Sequence, residues 1–259
     1  MSQQSIERAT RVLGLFTFEH PSWRVSDIAK TLDLAVGTTH GIVKALAKSD
    51  YLAQDPASKE YKLGLKLMEL GSLQSATYEL NRKSATPVTY LAQHTNTIGR
   101  VGVLYHNAIL TTLSTDHQEW HPSSYIGPTV PAYCTGMGRA ILSQLLMREL
   151  VEHLATVQLL PYTPKTLTDP VALHEEISAT RERGYSLVFG ETLIHLNTIG
   201  APVFGAEGKV IGAISVSGTS DIIGPDTDIT SFANRLMDVA SEISVQMGYR
   251  AQPKFVDGT

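Results

Sequence analysis

Residues 26–63 read SDIAKTLDLAVGTTHGIVKALAKSDYLAQDPASKEYKL, and this stretch decides the fold of the first third of the chain. A short segment with apolar side chains at helical spacing begins at Ser26, and a second such segment covers residues 36–49 after a turn of small residues. Two strand-like runs then enclose the turn-forming residues 55–59. With a further helix over residues 5–16, the order predicts a winged helix-turn-helix.

That order has a physical reason, because the major groove of B-DNA accepts one α-helix while a basic hairpin can lie against the adjacent backbone. The helix over residues 36–49 is the expected reading helix, with Thr39, Val43 and Leu46 at the inward spacing. An alternative is that the same unit serves only as a protein-interaction module. The residues predicted to contact DNA are Ser26, Thr38, Thr39, His40 and Lys44 on the helices and Lys59 and Lys62 on the wing.

Composition limits the classes of protein that remain. The chain has 259 residues, of which 42% are hydrophobic and 18% charged, so it can bury at least one large core and is not generally disordered. The apolar runs are too short or too interrupted by proline for a membrane span. A charged N-terminus and the single cysteine, Cys134, predict a reducing, cytoplasmic location. Residues 1–83 carry a net charge of +2 and residues 84–259 carry −6, so only the front of the chain suits a polyanion.

The remainder of the chain predicts an α+β domain. Residues 64–77 are expected to form a linker helix, and residues 78–250 a second domain in which helices alternate with an antiparallel sheet. Pro87 is expected near the start of that domain's first helix. Gly136 and Gly138 stand where a strand passes into a helix, and the amides of such a turn can attract a carboxylate or phosphate. Close packing of the helix is the alternative reason for the two glycines.

From about residue 5 to residue 248 the chain resembles the IclR family of bacterial transcriptional regulators. The motifs that carry the resemblance are Ser5-Ile6-Glu7-Arg8-Ala9, Tyr61-Lys62-Leu63-Gly64, Gly138-Arg139-Ala140-Ile141-Leu142, Arg181-Glu182-Arg183-Gly184-Tyr185 and Gly208-Lys209-Val210-Ile211-Gly212-Ala213-Ile214-Ser215-Val216-Ser217-Gly218. Their joint order and spacing make a chance match improbable.

The resemblance implies a winged helix-turn-helix domain over residues 1–63, a linker helix over 64–77 and a GAF-like effector-binding domain over 78–250. It also implies a homodimer or homotetramer that binds double-stranded operator DNA, responds to a small-molecule effector and controls catabolic genes. No cofactor, catalytic group or membrane partner is implied. The residues expected at the effector are Tyr133, Cys134, Gly136, Met137, Val188, Phe189, His195, Thr198, Ser215 and Ser217.

Two departures from the family pattern bear on function. Gly41 stands where the family's reading helix usually has an arginine, and the missing contact is worth about 1–3 kcal/mol of base discrimination. Val188 and Phe189 stand where the family commonly has an acidic run, of which only Glu191 is retained. An apolar wall gives no hydrogen bond to a buried hydroxyl, so we expect an aromatic or partly apolar acid as the effector.

Three other interpretations remain open at this point. Cys134 with His121, or Ser217 with His195, would be the nucleophile and base of an enzyme, but neither pair has the turn that positions a nucleophile. His117, His121 and Cys134 offer metal-ligand chemistry on what is expected to be a loop. The missing arginine also suits a metabolite sensor whose DNA binding is weak or lost.

Overall fold

The computed structural model describes residues 3–115 and 129–250. The chain divides into two compact units, residues 1–76 and residues 77–259. Within the described ranges, every helix is too short or too polar to cross a membrane.

Within the described residues, the first unit contains a three-stranded sheet, three helices that pack with it, and nearly all of the helix over residues 65–77. Apolar side chains on all three helices and on the sheet, among them Val12, Ile28, Val43 and Leu52, enclose one small core. The two helices that would meet DNA are joined by a tight turn, since Asp33 adopts φ 54° and the Leu34 amide donates to the Ala29 carbonyl at 2.9 Å. The elements are α1 (Gln3–Leu13), β1 (Ser22–Trp23), α2 (Val25–Leu32), α3 (Val36–Lys48), β2 (Leu52–Gln54) and β3 (Tyr61–Leu63), with strand order β1-β3-β2.

Helix α4 (Leu65–Thr77) follows the hairpin, and every residue of it is exposed or half-buried. The chain then leaves helical geometry at Tyr78 and enters α5 (Glu79–Thr95). Pro87 therefore lies in the interior of α5 and not near its start, which corrects the expectation from the sequence. A proline there removes one backbone hydrogen bond, and the helix is kept by its packing, because Leu80, Val88 and Leu91 are buried.

The second unit is built on an antiparallel sheet that has, within the described residues, the strand order β6-β5-β4-β9-β8-β7. Its strands are β4 (Ile98–Tyr105), β5 (Ala108–Ser114), β6 (Thr129–Pro131), β7 (Ser186–Phe189), β8 (Asn197–Phe204) and β9 (Val210–Gly218). Its other helices are α6 (Gly136–Leu142), α7 (Met147–Ala155), α8 (Pro170–Arg183) and α9 (Ile229–Gln246).

The sheet separates two cores, and alternate residues of each strand serve one core or the other. On the first face, Ile199, Ala201, Ile214 and Val216 pack with side chains of α5 and α9. On the second face, Ala213 joins apolar side chains of α6, α7 and α8. We call the second side the α6 face. The strand residues that belong to the α6 face by this alternation are each flanked by residues of the first face or paired with another member of the set. They are residues 186, 188, 198, 200, 215 and 217.

Candidate functional site

Helix α3 presents most of the predicted DNA contacts on one exposed surface. Thr38, His40 and Lys44 are all exposed, and so is Ser26 on α2, whose hydroxyl lies 3.3 Å from the Asp27 carboxylate. Thr39 is different, because its side chain is fully buried and its hydroxyl donates to the Ala35 carbonyl at 3.2 Å. Thr39 therefore belongs to the core of the first unit and is withdrawn from the predicted DNA contacts.

Gly41 lies on the same exposed side of α3. A Cβ atom added there would meet no other atom within 4 Å. Neither close packing nor a positive φ angle therefore requires glycine at this position. The absence of a side chain leaves an open gap between His40 and Lys44 on the surface that would face DNA.

The wing is a short hairpin that is stabilised at its tip. The Asp55 carboxylate accepts hydrogen bonds from the amides of Ala57 and Ser58 at 2.9 and 2.8 Å, and these bonds lower its pKa. Lys59 adopts φ 62° at the turn, and both Lys59 and Lys62 are exposed. Lys59 is thus held on an ordered turn and Lys62 on the adjoining strand β3, where both can neutralise phosphates.

In the second unit, three of the residues expected at the effector form a row across the α6 face. Val188 pairs with Thr198, and Thr198 pairs with Ser217 on the next strand. The hydroxyls of Thr198 and Ser217 are 3.0 Å apart, and Val188 is only 2% exposed. We call these three residues the hydroxyl row. Ser215 lies on the same face, two residues before Ser217 on β9, and is also buried.

The start of α6 lies directly on this row. A Cβ atom at Gly136 would come within 2.5 Å of Thr198 Cγ2, and one at Gly200 within 2.3 Å of the Gly136 carbonyl oxygen. The Ser186 hydroxyl donates to that carbonyl at 2.6 Å. Met137 is buried beside Gly102 of β4, whose added Cβ would come within 3.0 Å of its sulfur. The glycines therefore allow the helix and the sheet to approach closely at this point.

One charged residue beside the hydroxyl row was not among the site residues expected from the sequence. Arg100 of β4 is half-buried, pairs with Ser215 across the strands and donates from Nη1 to the Ser217 hydroxyl at 3.3 Å. The available signal was a lone charge in the strand run Ile98-Gly99-Arg100-Val101-Gly102. Spacing along the chain could not reveal it, since its partner lies 117 residues away.

Other residues expected at the effector lie elsewhere. Phe189 packs into the α5 and α9 core on the opposite face of the sheet, because it is one residue removed from Val188. His195 is exposed on the loop between β7 and β8. Cys134 is fully buried in the α6 core, and burial raises the pKa of its thiol to about 12. The expectation that these three residues contact the effector is therefore corrected. Phe189 and Cys134 are core residues, and the His195 side chain lies in solvent.

Tyr133 lies in a separate place. Its ring lines an open cleft of about 540 Å³, and its hydroxyl donates to the Leu160 carbonyl at 2.6 Å. Burial raises its pKa to about 12. The cleft is bordered by the β4–β5 turn and by Thr156, Val157 and Gln158, so it is distinct from the hydroxyl row.

A buried ion pair supports α6 from the side. Arg139 and Glu191 are 1% and 7% exposed, and Nη2 of the arginine donates to the carboxylate at 2.6 Å. Arg139 also donates to the carbonyls of Tyr133 and Leu187, and the Leu167 amide donates to Glu191 at 3.0 Å. The pair therefore connects α6, the end of β7 and the segment before α8 in one network. Glu191, the acidic residue retained from the family pattern, is therefore paired with Arg139.

The metal interpretation depends on two residues, His117 and His121, that lie outside the described residues. Among the residues that are described, no group of three or more His, Cys, Asp or Glu side chains is placed to hold a metal ion.

Comparison with known proteins decides the family. Residues 5–56 match the IclR helix-turn-helix domain, and residues 75–245 match the domain described as bacterial transcriptional regulator IclR C-terminal. The chain belongs to the IclR family. It is therefore a transcriptional regulator with a DNA-binding helix-turn-helix domain and an effector domain, and the α+β class expected from the sequence is confirmed.

The relatives share this organisation over their whole length. The HTH-type transcriptional regulator XynR of Escherichia coli is 29% identical over 254 residues, which cover 96% of this chain and 98% of that protein. A glycerol operon regulatory protein of Streptomyces griseus is 30% identical, over 95% of this chain and 96% of its own. The crystal structure of an IclR regulator from Alicyclobacillus acidocaldarius has a TM-score of 0.81 at 23% identity, covers 96% of this chain and 100% of its own, and so shows the same fold.

Proposed function

We propose that this IclR-family protein is a cytoplasmic, ligand-responsive regulator of catabolic genes. It binds operator DNA as a homodimer or homotetramer and senses a small organic acid of aromatic or partly apolar character. The observation that carries the proposal is the combination of an exposed polar face on α3 with the hydroxyl row in the effector domain, which has buried Ser217 and half-buried Thr198 beside the buried apolar side chain of Val188.

DNA binding rests on the exposed surface of the first unit. Thr38 and His40 offer hydrogen-bonding groups at the start of α3, and Lys44 stands one turn further along the helix. Lys59 and Lys62 extend the positive charge onto the wing. Phosphate contacts of this kind position a protein on DNA, and groups at the start of the helix read base edges.

Self-association rests on α4. Leu65 and Met68 are 78% and 69% exposed, and Leu73 is also exposed on this helix. A helix with large apolar side chains in water is stabilised by a partner surface. A second copy of the chain is the occupant that we propose, because a two-fold dimer would present two reading helices to the two halves of a palindromic operator.

The character of the effector rests on Val188. This side chain is buried in line with two hydroxyls, so one side of the row is apolar and the other can donate hydrogen bonds. A carboxylate attached to an apolar body suits such a surface. An IclR homologue from Microbacterium hydrocarbonoxydans has been crystallised with 4-hydroxybenzoate; it is 22% identical to this chain, with a TM-score of 0.77.

The experiment is a mobility-shift titration of the full-length protein on the DNA upstream of its own gene, over a series of salt concentrations. We expect a specific complex whose affinity falls steeply with salt, as phosphate contacts require. Affinity equal to that for random DNA of the same length, with and without a carboxylate panel, would contradict the proposal.

The second candidate is a metabolite sensor with weak or lost DNA binding, and the gap at Gly41 favours it. The same titration, combined with isothermal titration of the carboxylates, separates the two, because the sensor would bind a carboxylate while showing no preference for its own upstream DNA. An enzyme is the weakest alternative. The buried, protonated thiol of Cys134 is not a nucleophile, and the relatives are named as regulators or repressors.

A further inference from the structure

Arg24 and Glu60 form an ion pair where the wing meets the helix-turn-helix. Strand β1 pairs with β3 so that Trp23 stands opposite Tyr61, and this brings Arg24, the residue after β1, beside Glu60, the residue before β3. Nε of Arg24 lies 3.5 Å from the Glu60 carboxylate, and the two side chains are 61% and 33% exposed. A pair that is open to solvent in this way adds little to folding stability.

The two partners of this pair are held to different degrees. One carboxylate oxygen of Glu60 faces Arg24, and the other accepts a hydrogen bond from the Ser22 hydroxyl at 2.6 Å. Among the described residues, the Arg24 side chain makes a hydrogen bond only through Nε, so both of its Nη groups are free to donate. The carboxylate is therefore a fixed negative charge, whereas the guanidinium keeps donors for a further ligand.

The pair lies where a helix-turn-helix meets the DNA backbone. In this motif the second helix enters the major groove and the first helix crosses the backbone. Arg24 immediately precedes α2, the first of these helices, and its side chain does not cap the helix. Exposed Ser26 follows in the first turn, and exposed Lys62 lies on the same side of β3 as Glu60, because the intervening Tyr61 is buried. Glu60 thus places a negative charge among side chains suited to phosphates.

We propose that Arg24 is a further phosphate-contacting residue and that Glu60 offsets its charge, so that Glu60 keeps the affinity for DNA of any sequence low. Phosphate contacts carry no sequence information, and they supply essentially all of non-specific binding. A carboxylate beside such a contact therefore weakens the binding of random and operator DNA by the same factor. The inference rests on the proposed function, which assigns DNA binding to the exposed surface of the first unit. It adds two residues that were not among the predicted DNA contacts.

The experiment measures the affinity of the full-length protein for two labelled duplexes of equal length by fluorescence anisotropy, over a series of salt concentrations. One duplex comes from the DNA upstream of its own gene, and the other has a random sequence. The variants are Glu60→Gln, Arg24→Gln and the double variant. Glutamine at position 60 removes the charge and keeps an oxygen that can accept from the Ser22 hydroxyl. Glu152→Gln is the matched control, because Glu152 and Arg148 form another exposed Arg–Glu pair, on α7 of the effector domain.

We expect Glu60→Gln to bind both duplexes more tightly than the wild type and to lose affinity more steeply with salt. One added phosphate contact makes the loss between about 50 and 200 mM salt about 3.5-fold larger for each helix-turn-helix domain on the DNA. Arg24→Gln alone should weaken both complexes, because Glu60 is then unpaired. The double variant should return to about the wild-type affinity and slope, because it removes both charges together. Glu152→Gln should match the wild type.

Two results would overturn the inference. One is a Glu60→Gln slope equal to that of the wild type or of Glu152→Gln. The other is a steeper slope that the double variant retains, because a group other than Arg24 would then make the contact. If Glu60→Gln does not fold, as judged by circular dichroism, Arg24→Gln decides, and unchanged binding of both duplexes overturns the inference.

The two duplexes separate this inference from the proposed function. A preference for the upstream duplex, combined with either overturning result, means that the role of the pair fails while the proposed regulator stands. A steeper Glu60→Gln slope that depends on Arg24, without a preference for the upstream duplex in any variant, supports the inference and contradicts the proposed function.

Discussion

Replacing Arg139 with methionine should destabilise the effector domain far more than the same change at an exposed arginine. The change keeps an unbranched side chain of similar length but removes the charge. It leaves the Glu191 carboxylate buried with the Leu167 amide as its remaining hydrogen bond, and it leaves the carbonyls of Tyr133 and Leu187 without this donor. Breaking one side of a buried ion pair costs about 3–5 kcal/mol of unfolding free energy.

The structure contains its own control. Arg148 faces Glu152 at 3.8 Å on α7, where the two side chains are 80% and 71% exposed. Exposed pairs at this spacing contribute about 0.3–0.5 kcal/mol, so Arg148→Met should be nearly neutral. The double variant Arg139→Met/Glu191→Gln should recover part of the loss, because it no longer buries an unpaired charge. We expect a coupling energy of about 1–3 kcal/mol between the two sites.

The assay is urea unfolding of the full-length protein, followed by far-ultraviolet circular dichroism and repeated by thermal scanning. Because the chain has two units, unfolding can show two transitions. The transition that Arg139→Met shifts and Arg148→Met leaves in place is assigned to the effector domain. An Arg139→Met variant within about 1 kcal/mol of Arg148→Met would refute the reasoning, since the ion pair would then contribute no more than a surface contact.

Further predictions follow from single positions. Gly41→Ala should stabilise the first unit by about 1 kcal/mol in thermal unfolding without changing DNA affinity. Gly41→Arg should also steepen the salt dependence of DNA binding by the equivalent of about one phosphate contact, and an unchanged slope would count against this prediction. Iodoacetamide should label Cys134 only in urea, because burial raises the pKa of the thiol to about 12; rapid labelling of the native protein at neutral pH would be inconsistent with its position. Gly200→Ala should cost about 1–3 kcal/mol by forcing the sheet from α6, which urea titration of the variant and the wild type would measure; equal midpoints for the effector domain would show that the close approach is unimportant. Burial lowers the pKa of His153, so the unfolded chain takes up the proton before the folded chain does, and stability should fall as the pH drops below about 6.5. His153→Gln should reduce that fall. Parallel pH profiles of the variant and the wild type would exclude His153 as its source.

The sequence predicted the winged unit well because its signals are local. Helical spacing, the turn predicted over residues 34–37 and the composition of residues 55–59 each depend on near neighbours. The resulting elements agree with α2, α3, β2 and β3 to within a few residues. Strand β1, Ser22–Trp23, was missed. Two residues show no alternation, and this strand exists only because β3 provides its hydrogen-bonding partner.

The candidate effector site was predicted less completely because it depends on pairing between distant strands. The family motifs identified Thr198 and Ser217, which the structure brings within hydrogen-bonding distance. They could not indicate that Phe189 faces the opposite core, since one position along a strand reverses the direction of a side chain. Arg100 was missed for the same reason. Its hydrogen bond to Ser217 depends on β4 pairing with β9, a contact that spacing within either strand does not reveal.

The alternation along β8 and β9 also separates two kinds of evolutionary change. Substitutions at positions 198, 215 and 217 alter the surface of the α6 face, whereas Ile199, Ile214 and Val216 hold the sheet to α5 and α9. A descendant of this protein can therefore acquire a different α6 face by point substitution while its fold is inherited intact. Insertion of one residue in either strand would exchange the two sets of positions, so the same lineage should tolerate replacements in these strands and reject changes in their length.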